Sequence, residues 1–214
     1  MKKAEKSIVL EELASLYPDA KPALRYTTAY ELLVAVILSA QCTDERVNKV
    51  TAVLFEKYST PQAMVTLSQK ELEEYIFSCG FYRMKAEHIL SASKDILEKF
   101  GGEVPNTVES LMELAGVGKK TANVVYSVAF GGAAIAVDTH VFRVAARIGL
   151  SVGAKTPRAT ELQLEKYIPS ALLPKAHHWL ILHGRYTCIA RRPKCGECGI
   201  APWCKYFHTH FAEK

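Results

Sequence analysis

The sequence predicts an all-α protein built from ten or more short helices. Three observations carry that reading: apolar residues recur at three- and four-residue intervals along most of the chain, helix-start signals punctuate the pattern, and sustained period-two alternation is missing. With 214 residues and 49% apolar side chains, the chain is long enough for one large core or two small ones.

The elements follow in chain order. "MKKAEKSIVLEELASLYP" opens with basic residues as a signal peptide does, but Glu11 and Glu12 interrupt its apolar part and no small-residue cleavage site follows, so it reads as a short amphipathic helix. Thr28 and Glu31 stand at capping-box spacing before the apolar run "LLVAVILSA". That run, residues 32–40, is nine residues long, about half of the roughly 20 needed to cross a bilayer, and no membrane span is expected. Thr60-Pro61 places a capping hydroxyl before a proline suited to the first helical turn, and Ser68 with Glu71 repeats the capping-box spacing. After the turn "SCGFYR", Ala86, Ile89, Leu90, Ser93, Ile96, Leu97 and Phe100 outline one face of a longer helix. The turns "FGGEVPN" and "AGVGK" lead to a helix marked by Val124, Val125, Val128 and Ala129, which ends at "FGGAA". "AIAVDT" is the single strand candidate and is too short to build a sheet. A helix through Val141, Ala145 and Ile148 follows, and Thr156-Pro157 starts another. In "HHWLILHGRY", His177, His178 and His183 lack the i, i+4 spacing of a helical zinc pair and read as packing or hydrogen-bonding groups. No repeat or flexible linker marks a domain boundary, so two lobes, if present, would share a tight interface.

The net charge of +5 is unevenly placed. Residues 1–113 hold 13 basic and 17 acidic side chains, whereas residues 114–214 hold 14 basic and 5 acidic. A cationic second half is what a polyanion-binding face requires, although a basic stripe also serves as a solvated surface. Four of the six cysteines, Cys188, Cys195, Cys198 and Cys204, are spaced C-x6-C-x2-C-x5-C. In a chain without an export signal this points to metal rather than disulfides, and the spacing fits tetrahedral zinc and a 4Fe-4S cluster equally well. Cys42 and Cys79 are distant and read as small buried apolar groups.

"LAGVGKKTANVV", residues 114–125, sets two glycines around Val117 and two lysines at a helix mouth. A P-loop is excluded because Glu113 stands where its first glycine belongs and Lys120 where Ser or Thr belongs; a dinucleotide fingerprint would need glycine at Thr121 and a preceding strand. A helix, Gly116-Val117-Gly118 turn, helix arrangement remains. It is either an ordinary turn or one that brings backbone N–H groups and a positive helix end against a phosphate.

These residues carry a resemblance. "LAGVGKKTANVV" followed by "AIAVDTHVFRV" resembles the helix-hairpin-helix with glycine and aspartate of DNA glycosylases, "CIARRPKCGECGIAPWC" resembles the iron-sulfur loop of the endonuclease III branch, and "ELLVAVILSAQCTDERVNK" matches the same branch. The resemblance covers nearly the whole chain. It implies two helical lobes: a six-helix lobe over 22–132 carrying the hairpin, and a lobe of 1–21 plus 133–214 carrying the cluster, with DNA in the cleft between them and the damaged nucleotide flipped out. It also tips the cysteine cluster to 4Fe-4S, with zinc as the alternative, in a structural role.

By the same resemblance Lys120 is the nucleophile and Asp138 its carboxylate partner. The chemistry supports that choice independently, because only an amine gives a Schiff base that can drive strand cleavage by β-elimination. Lysine is an ammonium in water, with a reference pKa of about 10.4. Lys119, the positive helix end and partial burial would all disfavour that charge on Lys120. Asp138 would accept a proton and stabilise positive charge on the sugar, or else simply cap the helix at "THVFRV". Lys119 reads as a phosphate contact alongside Gly116 and Gly118. Gln41 matches the side chain that fills the gap left by a flipped nucleotide. Phe81, where the family often has leucine, is either a second wedge or core. Asp44 matches a carboxylate near the family's pocket, with helix capping as its plain alternative. His140 would approach the abasic sugar, and Arg191, Arg192 and Lys194 would grip phosphates from a metal-pinned loop. Ala115, where proline often stands, implies a slightly looser hairpin.

The expected activity is that of a bifunctional glycosylase and apurinic/apyrimidinic lyase acting on oxidised pyrimidines in double-stranded DNA or on abasic sites. The expected state is a monomer with no membrane association, in a bacterial-type cytoplasm. An adenine-type glycosylase normally lacks the lysine and carries a further C-terminal domain, and a non-catalytic binding module has no need of Lys120 with Asp138.

Overall fold

The computed structural model describes residues 2–211. The described residues hold twelve α-helices and three short 3-10 turns, with no strand. The chain divides into two compact units, one of Pro22–Gly132 and the other of Met1–Lys21 with Ala133–Lys214. No helix of the described residues is long and apolar enough to cross a membrane.

Pro22–Gly132 contains α2 (Ala29–Ser39), α3 (Asp44–Leu54), α4 (Pro61–Met64), α5 (Gln69–Ile76), α6 (Tyr82–Lys99), α7 (Val108–Leu111) and α8 (Lys119–Phe130). Helix α2 is its centre. Tyr30 to Leu38 are buried without interruption, as expected of a helix apolar on every side. Helices α3, α6 and α8 pack around it. The capping signals act as expected, with one difference. Thr60 accepts from the Ala63 N–H, and Ser68 exchanges bonds with Glu71 in a complete capping box. Thr28 accepts from the Glu31 N–H, but the Glu31 carboxylate reaches one residue further back, to the N–H and hydroxyl of Thr27 at 2.6 and 2.7 Å.

The other unit contains α1 (Lys3–Leu16), α9 (Thr139–Ile148), α10 (Pro157–Tyr167), α11 (Leu173–Tyr186) and α12 (Lys205–His210). Helix α9 packs against α10, α11 and α12, and α1 lies on α11. Val9, Leu10 and Leu13 of α1 join Val141, Val144, Ala145, Ile148 and Leu180 in one buried cluster. The strand candidate "AIAVDT" is extended chain without a ladder. Ala134 to Val137 are buried, and the Ala136 carbonyl is 3.0 Å from Nδ1 of His177.

Candidate functional site

In the glycine hairpin, α7 is a single turn, and the chain reverses through Leu114–Gly118 into α8. Gly116 has φ +75°, and a Cβ there would lie 2.8 Å from the His88 side chain on α6, so glycine is required both by backbone and by space. Gly118 is the N-cap of α8 and offers no side chain to the helix's first N–H groups. Those groups and the positive helix end are therefore presented outward, the arrangement that suits an anion. Lys119 and Lys120 are the first two residues of α8; Lys119 is half-buried and Lys120 exposed. The sequence reading expects partial burial of Lys120, whereas its side chain is exposed.

Gln41 and Phe81 are the two non-glycine residues with positive φ among the described residues, at 52° and 58°. Both are exposed, Phe81 at 60%, so the core reading of Phe81 is excluded. Their turns adjoin: a Cβ on Gly80 would sit 3.5 Å from the Gln41 carbonyl oxygen. Below them the thiols of Cys42 and Cys79 interact, and burial pushes the Cys79 thiol up to about 11. Cys79 is buried as expected, whereas Cys42 is half-buried. Asp44 does not cap α3. Thr43 does, its hydroxyl accepting from the Arg46 N–H at 3.3 Å, and Asp44 follows as the first helical residue, half-buried.

Asp138 is the N-cap of α9, and its Oδ1 accepts from the Val141 N–H at 2.7 Å. The capping reading is thus realised. It also fixes the carboxylate in place and leaves the second oxygen for other work. His140, two residues on, packs against Gly184, and its Nδ1 is 3.3 Å from the Arg143 guanidinium.

The four cysteines line a common pocket with Ile148, His183, Pro193, Tyr206 and Phe207. Burial pushes the Cys195, Cys198 and Cys204 thiols up, and the charge of Cys188 pushes each of them further. Such a group becomes thiolate only if cations compensate it. Among the described residues no three His, Cys, Asp or Glu side chains converge as a single ion would need. Four thiols spread around one cavity suit a 4Fe-4S cluster, in which each iron takes one thiolate. The loop is also braced from α9. Arg147 donates to the carbonyls of Ile189 and Ala190 at 2.8 and 2.7 Å, and Arg143 to those of Gly184 and Cys188 at 2.8 and 3.2 Å. Burial holds His183 down to about 4 and hence neutral; its Nδ1 is 3.1 Å from the Tyr17 hydroxyl and its Nε2 3.6 Å from Cys198 Sγ. Sequence reasoning missed these supports, since nothing in the spacing of Tyr17, Arg143, Arg147 and His183 marks them as cluster neighbours. Arg191, Arg192 and Lys194 are exposed on the braced loop.

Comparison with known proteins agrees with this geometry. Residues 34–170 match the family model described as HhH-GPD superfamily base excision DNA repair protein, and residues 188–204 match the iron-sulfur binding domain of endonuclease III. Endonuclease III of Haemophilus influenzae is 48% identical over 96% of this chain and 97% of its own length, and that of Escherichia coli is 46% identical over the same shares. A solved structure of a trapped endonuclease III-DNA covalent intermediate superposes with a TM-score of 0.92 at 45% identity, covering 98% of each chain. The chain therefore belongs to the HhH-GPD superfamily of base excision DNA repair proteins, in its endonuclease III family, and carries the 4Fe-4S cluster of that family.

Proposed function

We propose that this base excision glycosylase and lyase removes oxidised or ring-saturated pyrimidines from duplex DNA, with Lys120 as nucleophile and Asp138 as its carboxylate partner. Lys120 Nζ, as the free amine, attacks C1′ of the extruded nucleotide, the N-glycosidic bond breaks, and the base leaves with a proton. The C1′–O4′ bond then opens, O4′ taking up a proton, to leave a Schiff base that acidifies C2′; loss of that C2′ proton expels the 3′-phosphate by β-elimination, and water then hydrolyses the imine and restores the amine. Asp138 takes the proton given up at Nζ and stabilises positive charge developing on the sugar. Gly116, Gly118 and Lys119 bind a phosphate at the start of α8, Arg191, Arg192 and Lys194 bind others, and His140 approaches the sugar. Gln41 and Phe81 fill the space that the nucleotide vacates, and Asp44 lines its pocket. The 4Fe-4S cluster cross-links the loop that presents the arginines. The protein works as a monomer.

One observation carries the assignment: an exposed lysine at the second position of a helix whose glycine N-cap leaves its first N–H groups open to phosphate. It is supported by the likeness to an endonuclease III captured as a covalent DNA intermediate. Incubation with thymine-glycol duplex and sodium borohydride should trap a covalent adduct, and Lys120→Ala should abolish both the adduct and strand cleavage at an abasic site. Cleavage by Lys120→Ala at the parent rate would refute the assignment.

A further inference from the structure

We infer that Lys85 is a positioning residue that locks together the turns presenting Gln41 and Phe81; this rests on the reading above, in which those two side chains occupy the vacated space. Lys85 is on α6 and only 3% exposed. Its Nζ donates to the carbonyls of Leu38 and Ala40 at 2.8 and 2.7 Å, and its own N–H donates to the Phe81 carbonyl at 3.1 Å. The charged or titratable groups acting on it are the thiols of Cys79 and Cys42. It makes no salt bridge among the described residues.

A buried ammonium without a carboxylate is costly, and burial accordingly lowers its pKa from the ordinary lysine value. A methionine would fill similar space without that cost, so the charge is explained by what it holds. The last carbonyls of a helix have no partner within it, and those at the end of α2 lead straight into Gln41. Gln41 and Phe81 both occupy the left-handed region, each disfavoured by about 1–2 kcal/mol for a residue with a Cβ. Such backbone persists only where its surroundings over-determine it. Lys85 supplies that constraint by tying the Gln41 turn, through its side chain, to the first turn of the helix that Phe81 caps. Without Nζ, two carbonyls are freed and the Gln41 turn relaxes.

The test compares Lys85→Met with the parent enzyme in single-turnover excision from a thymine-glycol duplex and in strand cleavage at an abasic site in a single strand, where no vacated space exists. The expected result is a loss of about tenfold or more on the duplex with the single-strand rate held within about twofold, the scale on which a displaced group costs rate. A 2-aminopurine placed beside the lesion should show a correspondingly smaller extrusion signal. Equal losses on both substrates, or no loss on either, would overturn the inference. Should Lys85→Met not fold, judged by circular dichroism and cluster absorption, Lys85→Gln, which keeps a donor at shorter reach, is read by the same comparison. Gln41→Ala and Phe81→Ala separate the two levels. If they leave duplex excision intact, the reading of those side chains fails; if they slow it and Lys85→Met does not, only the role of Lys85 fails.

Discussion

Asp138 caps α9, and its proposed part in catalysis is a separate assignment that substitution can test. Its Oδ1 is committed to the Val141 N–H, a cap that asparagine also makes well. Asp138→Asn should therefore unfold within about 0.5 kcal/mol of the parent, while excision falls by about a hundredfold or more for want of a charged base. Asp138→Ala should lose the cap as well, about 1 kcal/mol, read by thermal unfolding. If Asp138→Asn retains full excision, the carboxylate is a cap and nothing more. Cys79 offers a second check at this scale. It is wholly buried, and burial pushes its thiol up to about 11. Mass spectrometry after iodoacetamide at neutral pH should find it unmodified in the folded protein and modified in denaturant, because both access and thiolate are lacking. Lys120, Asp138 and the cysteines can be proposed from the sequence because their motifs are specific. The exposure of Lys120 and the interplay of Cys42 with Cys79 cannot, since each depends on residues far away in the chain.

At the scale of elements, local chemistry is where sequence reads best. Thr60, Ser68 and Thr156 each accept the N–H three residues on, as their capping positions imply. The misreadings have local causes too. Thr43 and Asp44 are both good caps and adjacent, so spacing alone cannot choose between them. Helices α4 and α7 are single turns, too short for a period to show. The two hairpin glycines make a contrasting pair. Gly116→Ala forces a Cβ into His88 at a positive φ and should cost about 1–3 kcal/mol. At Gly118, φ is −83° and a Cβ would meet nothing within 4 Å, so Gly118→Ala should cost about 0.5 kcal/mol or less. Chemical denaturation measures both. A Gly118→Ala protein that is stable but weakened in binding abasic-site duplex would mark that backbone as a phosphate contact.

At the scale of the whole molecule, charge and the cluster matter most. The unit of residues 1–21 and 133–214 contains 16 basic and 9 acidic side chains, against 11 and 13 in residues 22–132. If Arg191 and Arg192 each neutralise a phosphate, replacing both by alanine should flatten the plot of log K against log salt by about 2, from roughly 0.9 per contact. An unchanged slope in a fluorescence-anisotropy titration would remove them from the DNA interface. Stripping iron leaves four crowded thiols, so limited proteolysis of the iron-free protein should begin within residues 188–204. The helical class and the cationic bias could be read from the chain, and a nucleophile and a set of metal ligands proposed from it, because each rests on short-range pattern, composition or residue chemistry. Which carbonyls Lys85 grips, which turns adopt left-handed backbone and which arginines brace the cysteine loop became visible in the folded chain alone. Those follow from packing between segments some 40 residues apart, and no local propensity encodes a contact at that separation.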